Sequence, residues 1–305
     1  MNDVSRPSPL RIAAIFFAVY VIWGSTYLAI RIGIETLPPI LMAGVRHLLA
    51  GTVLYVWARA RLHAAPPTGE EWRNAAVLGM MMLVLANGST TWAEQFVPSG
   101  LTALIVCTSA LWLVILNWLW LGGDRPSGRI VTGLLAGFLG VAFLVVPGRL
   151  AGGEHVNLVG AAALTLSALS WAVGSLHAIR LPRPRSPSLA VGMQMLTAGA
   201  MLVTIALLTG DGGRMLAGAV SLRSLAAFLY LTVFGSLVAY SAYFWLLRAT
   251  TPARISTISY VNPLVAVMLG WASGDEPVTA RTAVAAAIIL LSVVLITGLP
   301  ARARG

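Results

Sequence analysis

Polar side chains that interrupt long apolar stretches are the residues of this sequence with the greatest capacity for chemistry. In hydrocarbon such groups must face the protein interior, a partner or water. Aromatic rings beside hydroxyl and amide groups can stack against and hydrogen-bond an uncharged or zwitterionic amphiphile. Each serine or threonine also has a structural interpretation, because its hydroxyl can bond to its own helix backbone. The candidates for substrate contact are Trp23, Tyr27, Asn87, Thr91, Ser170, Trp171, Tyr240, Ser256 and Tyr260.

Among the polar residues within the apolar segments, Arg46 has the highest cost of insertion into a membrane. An arginine at the centre of a membrane helix costs roughly 2.5–3.5 kcal/mol on insertion scales unless it is paired. Two interpretations stay open for its guanidinium: it could bind a substrate carboxylate, or it could bond to helix ends as a structural latch. The adjacent His47 would lie about 100° around the helix from it.

Proton coupling usually requires an ionisable group within or close to the membrane. His47, Glu94 and His177 are the candidates for that role. Each could instead be an ordinary interface residue. A facilitative carrier, driven only by the substrate gradient, is therefore the alternative to a proton-coupled one.

The sequence lacks the residues that several other kinds of function require. It contains no lysine, so the phosphate-binding loop G-x-x-x-x-G-K-[ST] of ATP-driven transport is absent. Cys107 is the single cysteine, and no H-E-x-x-H metal motif occurs. The arginines are scattered in ones to threes, whereas a nucleic-acid binder clusters them on one face. We therefore expect that the protein is not an enzyme and that it uses no cofactor, metal or nucleic-acid partner.

The elements that hold the candidate residues are predicted to be membrane helices. Of the 305 residues, 58% are apolar and only 10% are charged, too few charges to cover a soluble protein of this size. A spanning helix needs about 20 mostly apolar residues. Nine segments of that kind are free of charge, and a tenth is interrupted only by Arg46 and His47. The segments are 12–30, 36–58, 74–93, 95–123, 130–148, 156–179, 186–210, 224–247, 255–274 and 282–301.

The distribution of arginine predicts the orientation of these helices. Fourteen arginines lie in the two termini and the loops on their side, against five in the other loops. Because positive charge accumulates in cytoplasmic loops, both termini should be cytoplasmic. The expected location is a multi-pass position in a bacterial inner membrane.

An internal repeat divides the chain into two halves. Pro38 to Gly51 reappears as Ser186 to Gly199 with six identical positions, which include two glycines in each copy. Five helices in each half give the halves opposite orientations in the membrane. We therefore predict an all-α integral membrane protein of ten helices, with inverted-topology repeats at 1–150 and 151–305. Such repeats favour a carrier that exchanges inward and outward conformations about a central site. The candidate hinges are Pro98, Pro252 and Pro263.

Several stretches resemble the EamA-type branch of the drug/metabolite transporter superfamily. They are WGSTYLAIR (Trp23 to Arg31), the segment ending at Arg46, AEQFVPSGLTALI (Ala93 to Ile105), NPLVAVMLGW (Asn262 to Trp271) and the Gly-Asp loops after the fourth and ninth helices. Within that branch the chain is most similar to the YddG-like exporters. One departure is Ala110, which stands where the family tends to place a proline and which removes the reason for a kink in the fourth helix.

The resemblance implies a function and an arrangement of helices. It implies export of small metabolites, foremost aromatic and other amino acids, by alternating access. A multidrug or lipophilic-cation exporter of the same fold is the alternative. Helices 1–4 and 6–9 would enclose the cavity, with helices 5 and 10 outside it. The expected partners are a small-molecule substrate and the lipid bilayer, and the sequence makes no prediction of an oligomeric state.

Overall fold

The computed structural model of the chain describes residues 8–122, 125–145, 157–250, 257–273, 276 and 278–297. Within these residues every regular element is helical, which confirms the predicted all-α fold class. We number the long helices α1 to α10 and leave the short connecting helix Asp211–Ala217 unnumbered. Seven of them are α1 (Pro9–Gly33), α2 (Pro39–Ala60), α5 (Gly128–Val145), α6 (Leu158–Arg180), α7 (Pro187–Leu208), α9 (Ile258–Ala272) and α10 (Ala280–Thr297). The other three are composite: α3 (Gly69–Ala93), α4 (Ser99–Val106 and Ser109–Leu121) and α8 (Leu222–Tyr230, Leu231–Val238 and Ala239–Ala249).

Most of these helices have the length and composition of membrane spans. Among the described residues, seven helices are long and apolar enough to cross a membrane. Three further helices are apolar but shorter: Gly128–Phe143, Val261–Ala272 and Ala280–Ile296. Each of them overlaps one of the apolar segments predicted from the sequence, and most begin or end a few residues outside it.

Local sequence signals set several helix ends. Pro39 and Pro187 occupy the first turns of α2 and α7, where a missing N–H costs nothing. Thr68 and Glu71 form a reciprocal capping box at the start of α3. Gly122 ends α4 with a left-handed φ of 66°, a conformation that glycine adopts without steric cost.

Helices α2 and α7 pack backbone against backbone through a glycine crossing, formed by Gly44, Gly51, Gly192 and Gly199. A Cβ on Gly199 would lie 2.9 Å from the carbonyl oxygen of Gly44 and 2.7 Å from the amide nitrogen of Leu48. Real side chains do not tolerate such distances, so only glycine permits this approach. The same residues are identical positions of the sequence repeat, and the crossing therefore joins equivalent helices of the two halves.

Helices α5 and α10 pack against each other. Gly137 on α5 leaves room for the hydroxyl-bearing side chain of Ser292 on α10, and Gly133 does the same for Ile296. Leu134 joins a core cluster with Ile289 and further residues of α4 and α10.

Two helices contain π-helical stretches at equivalent positions of the halves. Met80–Gly88 forms one within α3, and Leu231–Val238 forms the other within α8. A π-helix pairs residues five apart, is rare, and occurs mostly at functional sites. The first stretch carries Ala86 and Asn87 of the cavity described below, and Gly235 and Ser236 of the second accept hydrogen bonds from residues of the cavity wall.

Helix α4 is interrupted even though it lacks a proline at Ala110. Its two parts are separated at Cys107 and Thr108. The hydroxyl of Thr108 donates to the carbonyl oxygen of Ile105 at 2.6 Å, a local bond that competes with the regular helical pattern. The absence of a proline at position 110 therefore does not remove the break, which lies within the turn before that position.

Candidate substrate cavity

A central cavity of about 180 Å³ lies between the two halves. Its described lining comes from α1, α2, α3, α4, α6, α8 and α9, and none of it from α5 or α10. The lining residues are Trp23, Thr26, Tyr27, Ile30, Arg46, Ala86, Asn87, Thr90, Ala103, Val106, Cys107, Ser109, Ser167, Trp171, Tyr240, Ile258, Ser259, Asn262 and Pro263. An aromatic wall with a few polar groups is typical of a small-molecule site.

The structure brings five of the nine predicted contact residues to this cavity. They are Trp23, Tyr27, Asn87, Trp171 and Tyr240. Ser256 lies outside the described residues. Tyr260 belongs to α9, but its side chain is outside the described part of the chain.

Thr91 and Ser170 do not line the cavity. The hydroxyl of Thr91 is fully buried and donates to the carbonyl oxygen of Asn87 at 2.9 Å. The hydroxyl of Ser170 donates across to the carbonyl oxygen of Met81 in α3 at 2.7 Å. Both hydroxyls thus hold backbone together, as small polar residues commonly do in membrane helices.

Trp23 organises the aromatic side of the cavity. Its ring lies edge-on to Tyr240, with ring centroids 5.3 Å apart, and 5.0 Å from the ring of Tyr243. Its indole N–H donates to the carbonyl oxygen of Gly235 at 3.2 Å, within the π-helical stretch of α8. The ring is therefore held in one orientation by both stacking and a hydrogen bond.

Arg46 is a buried cation on the cavity wall. Its side chain is 4% exposed, and its Nε donates to the hydroxyl of Ser236 at 2.9 Å. Among the described residues no carboxylate lies within 4 Å of its guanidinium. A buried guanidinium without a counter-ion is costly, so an anionic group in the cavity would be stabilised there.

Two amides on the wall have unused acceptor groups. The side-chain oxygens of Asn87 and Asn262 are both buried without a hydrogen-bond partner in the described part of the structure. Most buried polar atoms in proteins are paired. The two amides can therefore accept a hydrogen bond from a ligand that enters between α3 and α9.

Helix α4 supplies cavity residues that the sequence analysis did not select. They include Cys107 and Ser109, which flank the interruption of the helix. The run Cys107-Thr108-Ser109 within an otherwise apolar segment was the available signal. Pro263 of α9 also lines the cavity, while Pro98 caps the start of α4 and Pro252 lies outside the described residues.

The three residues considered for proton coupling occupy different surroundings, and none of them lines the cavity. His47 is fully buried, and its Nδ1 bonds to the carbonyl oxygen of Ala43 at 2.6 Å. His177 lies edge-on to Trp120. Glu94 is fully buried just after α3, and neither of its carboxylate oxygens has a hydrogen-bond partner within the described residues.

Polar contacts close the bundle at the end where α1, α3 and α9 finish, which we call the Glu94 end. The carboxylate of Glu276 accepts hydrogen bonds from the backbone N–H groups of Ser99 and Gly100, at 2.6 and 2.9 Å. Arg223 pairs with Glu35 at 3.3 Å. Each of these contacts joins one half of the chain to the other.

A second cavity of about 290 Å³ lies toward the opposite end. It is lined by residues of α2, α7 and α8 and by Leu62, which follows α2. Tyr240 lines both cavities and stands between them. The central cavity thus has a neighbouring space at that end, whereas polar contacts close the Glu94 end.

Comparison with known proteins identifies the family to which this architecture belongs. The family model described as the EamA-like transporter family matches residues 10–146 and again residues 158–298. The uncharacterized inner membrane transporter YedA of Escherichia coli (strain K12) is 38% identical over 92% of this chain and 89% of its own. Protein PecM of Dickeya dadantii (strain 3937) is 29% identical over 84% of this chain and 82% of its own. A solved crystal structure superposes with a TM-score of 0.64 at 19% identity, covering 97% of this chain and all of that one, which shows a shared fold. The chain belongs to the EamA-like transporter family, the branch of the drug/metabolite transporters that its sequence resembles.

Proposed function

We propose that the protein is a secondary transporter that exports zwitterionic metabolites, foremost aromatic and other amino acids, by alternating access about the central cavity. The observation that carries the proposal is Arg46, a buried cation on the cavity wall without a carboxylate within 4 Å among the described residues. A substrate carboxylate would supply the missing counter-charge through a charge-assisted hydrogen bond.

The remaining polar groups suit the other end of an amino acid. A substrate ammonium can donate to the unpaired amide oxygens of Asn87 and Asn262. The rings of Trp23, Trp171 and Tyr240 offer apolar surface to the substrate side chain. Such a wall selects for the charged ends of the molecule and tolerates a range of side chains.

The direction of transport, export, is inferred from the family resemblance, and the orientation of the helices decides which end is cytoplasmic. The excess of arginine at the termini and the loops on their side predicts that this side is cytoplasmic, which makes the Glu94 end extracytoplasmic. The second cavity then lies on the cytoplasmic side, where an exporter loads its substrate. The printed name of YedA, an inner membrane transporter, supports the same location.

The proposed cycle uses the two predicted halves, 1–150 and 151–305, as moving parts. Helices α2 and α7 cross at glycines from each half and so provide an axis about which the halves can rock. Opening the Glu94 end requires the bonds of Glu276 to α4 to break.

Counterflow in liposomes tests the proposal. Purified protein is reconstituted with unlabelled tryptophan inside, and uptake of labelled tryptophan is followed for the wild type, Trp171→Ala and Trp271→Ala. Trp271 lines neither of the two cavities and is 64% exposed, so its variant is the control. We expect saturable exchange that Trp171→Ala abolishes and Trp271→Ala retains. Absence of exchange for every amino acid, with binding of lipophilic cations by the folded protein, would favour the multidrug alternative and overturn the proposal.

A further inference from the structure

Within the described residues, the side-chain carboxyl group of Glu94 has no hydrogen-bond partner. Its side chain is fully buried in the connection between α3 and α4, and both carboxylate oxygens lack a hydrogen-bond partner in the described residues. The guanidinium of Arg31 donates to the backbone carbonyl oxygen of Glu94, and no ion pair within 4 Å joins it to the carboxylate. A buried carboxylate that lacks partners is much more costly than a buried carboxylic acid.

The surroundings of Glu94 compensate a negative charge only in part. Helix α1 contributes Arg31 and Tyr27, and the connection between α9 and α10 contributes the second carboxylate, Glu276. The hydrogen-bonding capacity of Glu276 is directed to the start of α4. The first polar side chain of α4 is the neutral hydroxyl of Ser99, which is buried without a hydrogen-bond partner among the described residues. The neighbours that α6 and α10 give to this region are apolar: Ala161, Leu164 and Ala285.

Burial and then the charge of Glu276 raise the pKa of the Glu94 carboxyl well above its ordinary value of 4.5, against the lowering effect of Arg31. When the Glu94 end opens, water reaches the group and its pKa returns toward the ordinary value. The closed form therefore binds one proton more than the open form between these two pKa values. Below that range both forms hold the proton, and above it neither does.

We propose that Glu94 is a proton-binding site whose occupancy is coupled to closure of the Glu94 end, so that closing takes up one proton and opening releases it. The inference rests on the proposed function in one respect only, namely that this end opens during transport. Acidic conditions then favour the closed form. As the pH rises through the range above 4.5, the equilibrium for closing weakens by up to about tenfold for each pH unit.

Reagent accessibility of a buried position tests this coupling without any knowledge of the substrate. Val97 is fully buried beside Glu94, and Gln95 in the same connection is exposed. In a Cys107→Ser background we introduce Val97→Cys as the reporter and Gln95→Cys as the control. Labelling by a membrane-impermeant maleimide is measured in liposomes from pH 5 to pH 9. The ratio of the two labelling rates removes the intrinsic pH dependence of thiol reactivity.

We expect this ratio to rise with pH when Glu94 is present. In Glu94→Gln, a neutral side chain of the same shape, the ratio should be low and independent of pH. In Glu276→Gln, which removes the neighbouring charge, the midpoint should move to lower pH. A ratio that rises equally in Glu94→Gln, or that is flat with Glu94 present although tryptophan counterflow proceeds, would overturn the coupling. Failure of tryptophan counterflow alone would count against the proposed function and leave this result standing.

Discussion

Gly51 of α2 and Gly192 of α7 face each other across the crossing of the two halves. A Cβ on Gly51 would lie 2.9 Å from the carbonyl oxygen of Gly192, and a Cβ on Gly192 would lie 3.1 Å from the carbonyl oxygen of Gly51. The repeat makes Gly44 equivalent to Gly192 and Gly51 equivalent to Gly199, so the contact between Gly44 and Gly199 is the counterpart of this one, as expected of a pseudo-two-fold axis. The glycines repeated in the sequence are therefore the residues that let the halves touch through their backbones.

Alanine at either position should destabilise the protein. The Cβ of Gly51→Ala or Gly192→Ala would press on backbone, which cannot move aside as a side chain can, and overpacking of this kind costs about 1–3 kcal/mol. The apparent Tm in detergent should fall for both variants. Gly69→Ala at the start of α3, where no atom lies within 4 Å of a new Cβ, is the control and should keep the wild-type Tm. Equal Tm values for all three variants would contradict a contribution of the close glycine contacts to stability.

Two substitutions of Trp23 should separate the contribution of its hydrogen bond to transport from the contribution of its ring. Trp23→Phe keeps an aromatic surface beside Tyr240 but loses the bond from the indole N–H to Gly235. Trp23→Ala loses both. We expect tryptophan counterflow to decrease moderately in Trp23→Phe and by roughly tenfold or more in Trp23→Ala, since one tenfold step corresponds to about 1.4 kcal/mol. Unchanged counterflow in Trp23→Ala would remove this ring from the site.

Ser236 should influence substrate affinity through Arg46. The hydroxyl of Ser236 accepts from Nε of Arg46 and so fixes the direction of the guanidinium. Hydrogen bonds to charged groups contribute about 1.5–3 kcal/mol. We expect Ser236→Ala to raise the KM for tryptophan by roughly tenfold, equivalent to about 1.4 kcal/mol. Val233→Ala, at an exposed position on the same helix that lines neither cavity, should leave the KM unchanged, and an equal rise in both variants would indicate a general defect of α8.

Gly270 and Glu276 should act as a unit at the Glu94 end. A Cβ on Gly270 would overlap the carboxylate of Glu276 and displace it from the N–H groups of Ser99 and Gly100. Gly270→Ala and Glu276→Ala should therefore lower the apparent Tm alike, and the double variant should add little, as coupled residues do. Glu35→Gln, which breaks a partly exposed ion pair at the same end, should cost less than about 1 kcal/mol. Additive losses of Tm in the double variant would contradict this coupling between Gly270 and Glu276.

The sequence predicted the helices well because local composition governs them, and it predicted the repeat because the two halves share residues at equivalent positions. Charge-free segments of membrane length leave little alternative to a helix, and the paired glycines near Gly51 and Gly199 mark equivalent positions whether or not the contact is known. Burial of Arg46 also follows from its place within an apolar segment. These features depend on local sequence alone.

The details of the cavity depended on geometry that the sequence does not show. Thr91 and Ser170 are polar and embedded, yet their hydroxyls bond to carbonyl oxygens because that satisfies them within the helix packing. Helix α4 was expected to enclose the cavity, but its lining residues, among them Cys107 and Ser109, were not selected because most of the helix is apolar. Glu94 was predicted near a helix end, where exposure is usual, and only the packing of α1 and α4 around it makes it buried.

The central claim is that Arg46 binds a substrate carboxylate, and a competition experiment tests it most directly. Inhibition of labelled tryptophan counterflow by unlabelled tryptophan and by tryptamine, which lacks the carboxylate, is compared in the wild type and in Arg46→Gln. The exposed Arg73→Gln is the control. We predict that the wild type and Arg73→Gln prefer tryptophan by at least about tenfold, roughly 1.4 kcal/mol, and that Arg46→Gln loses this preference. An unaltered preference in a folded Arg46→Gln variant would contradict the assignment of Arg46 as the carboxylate site.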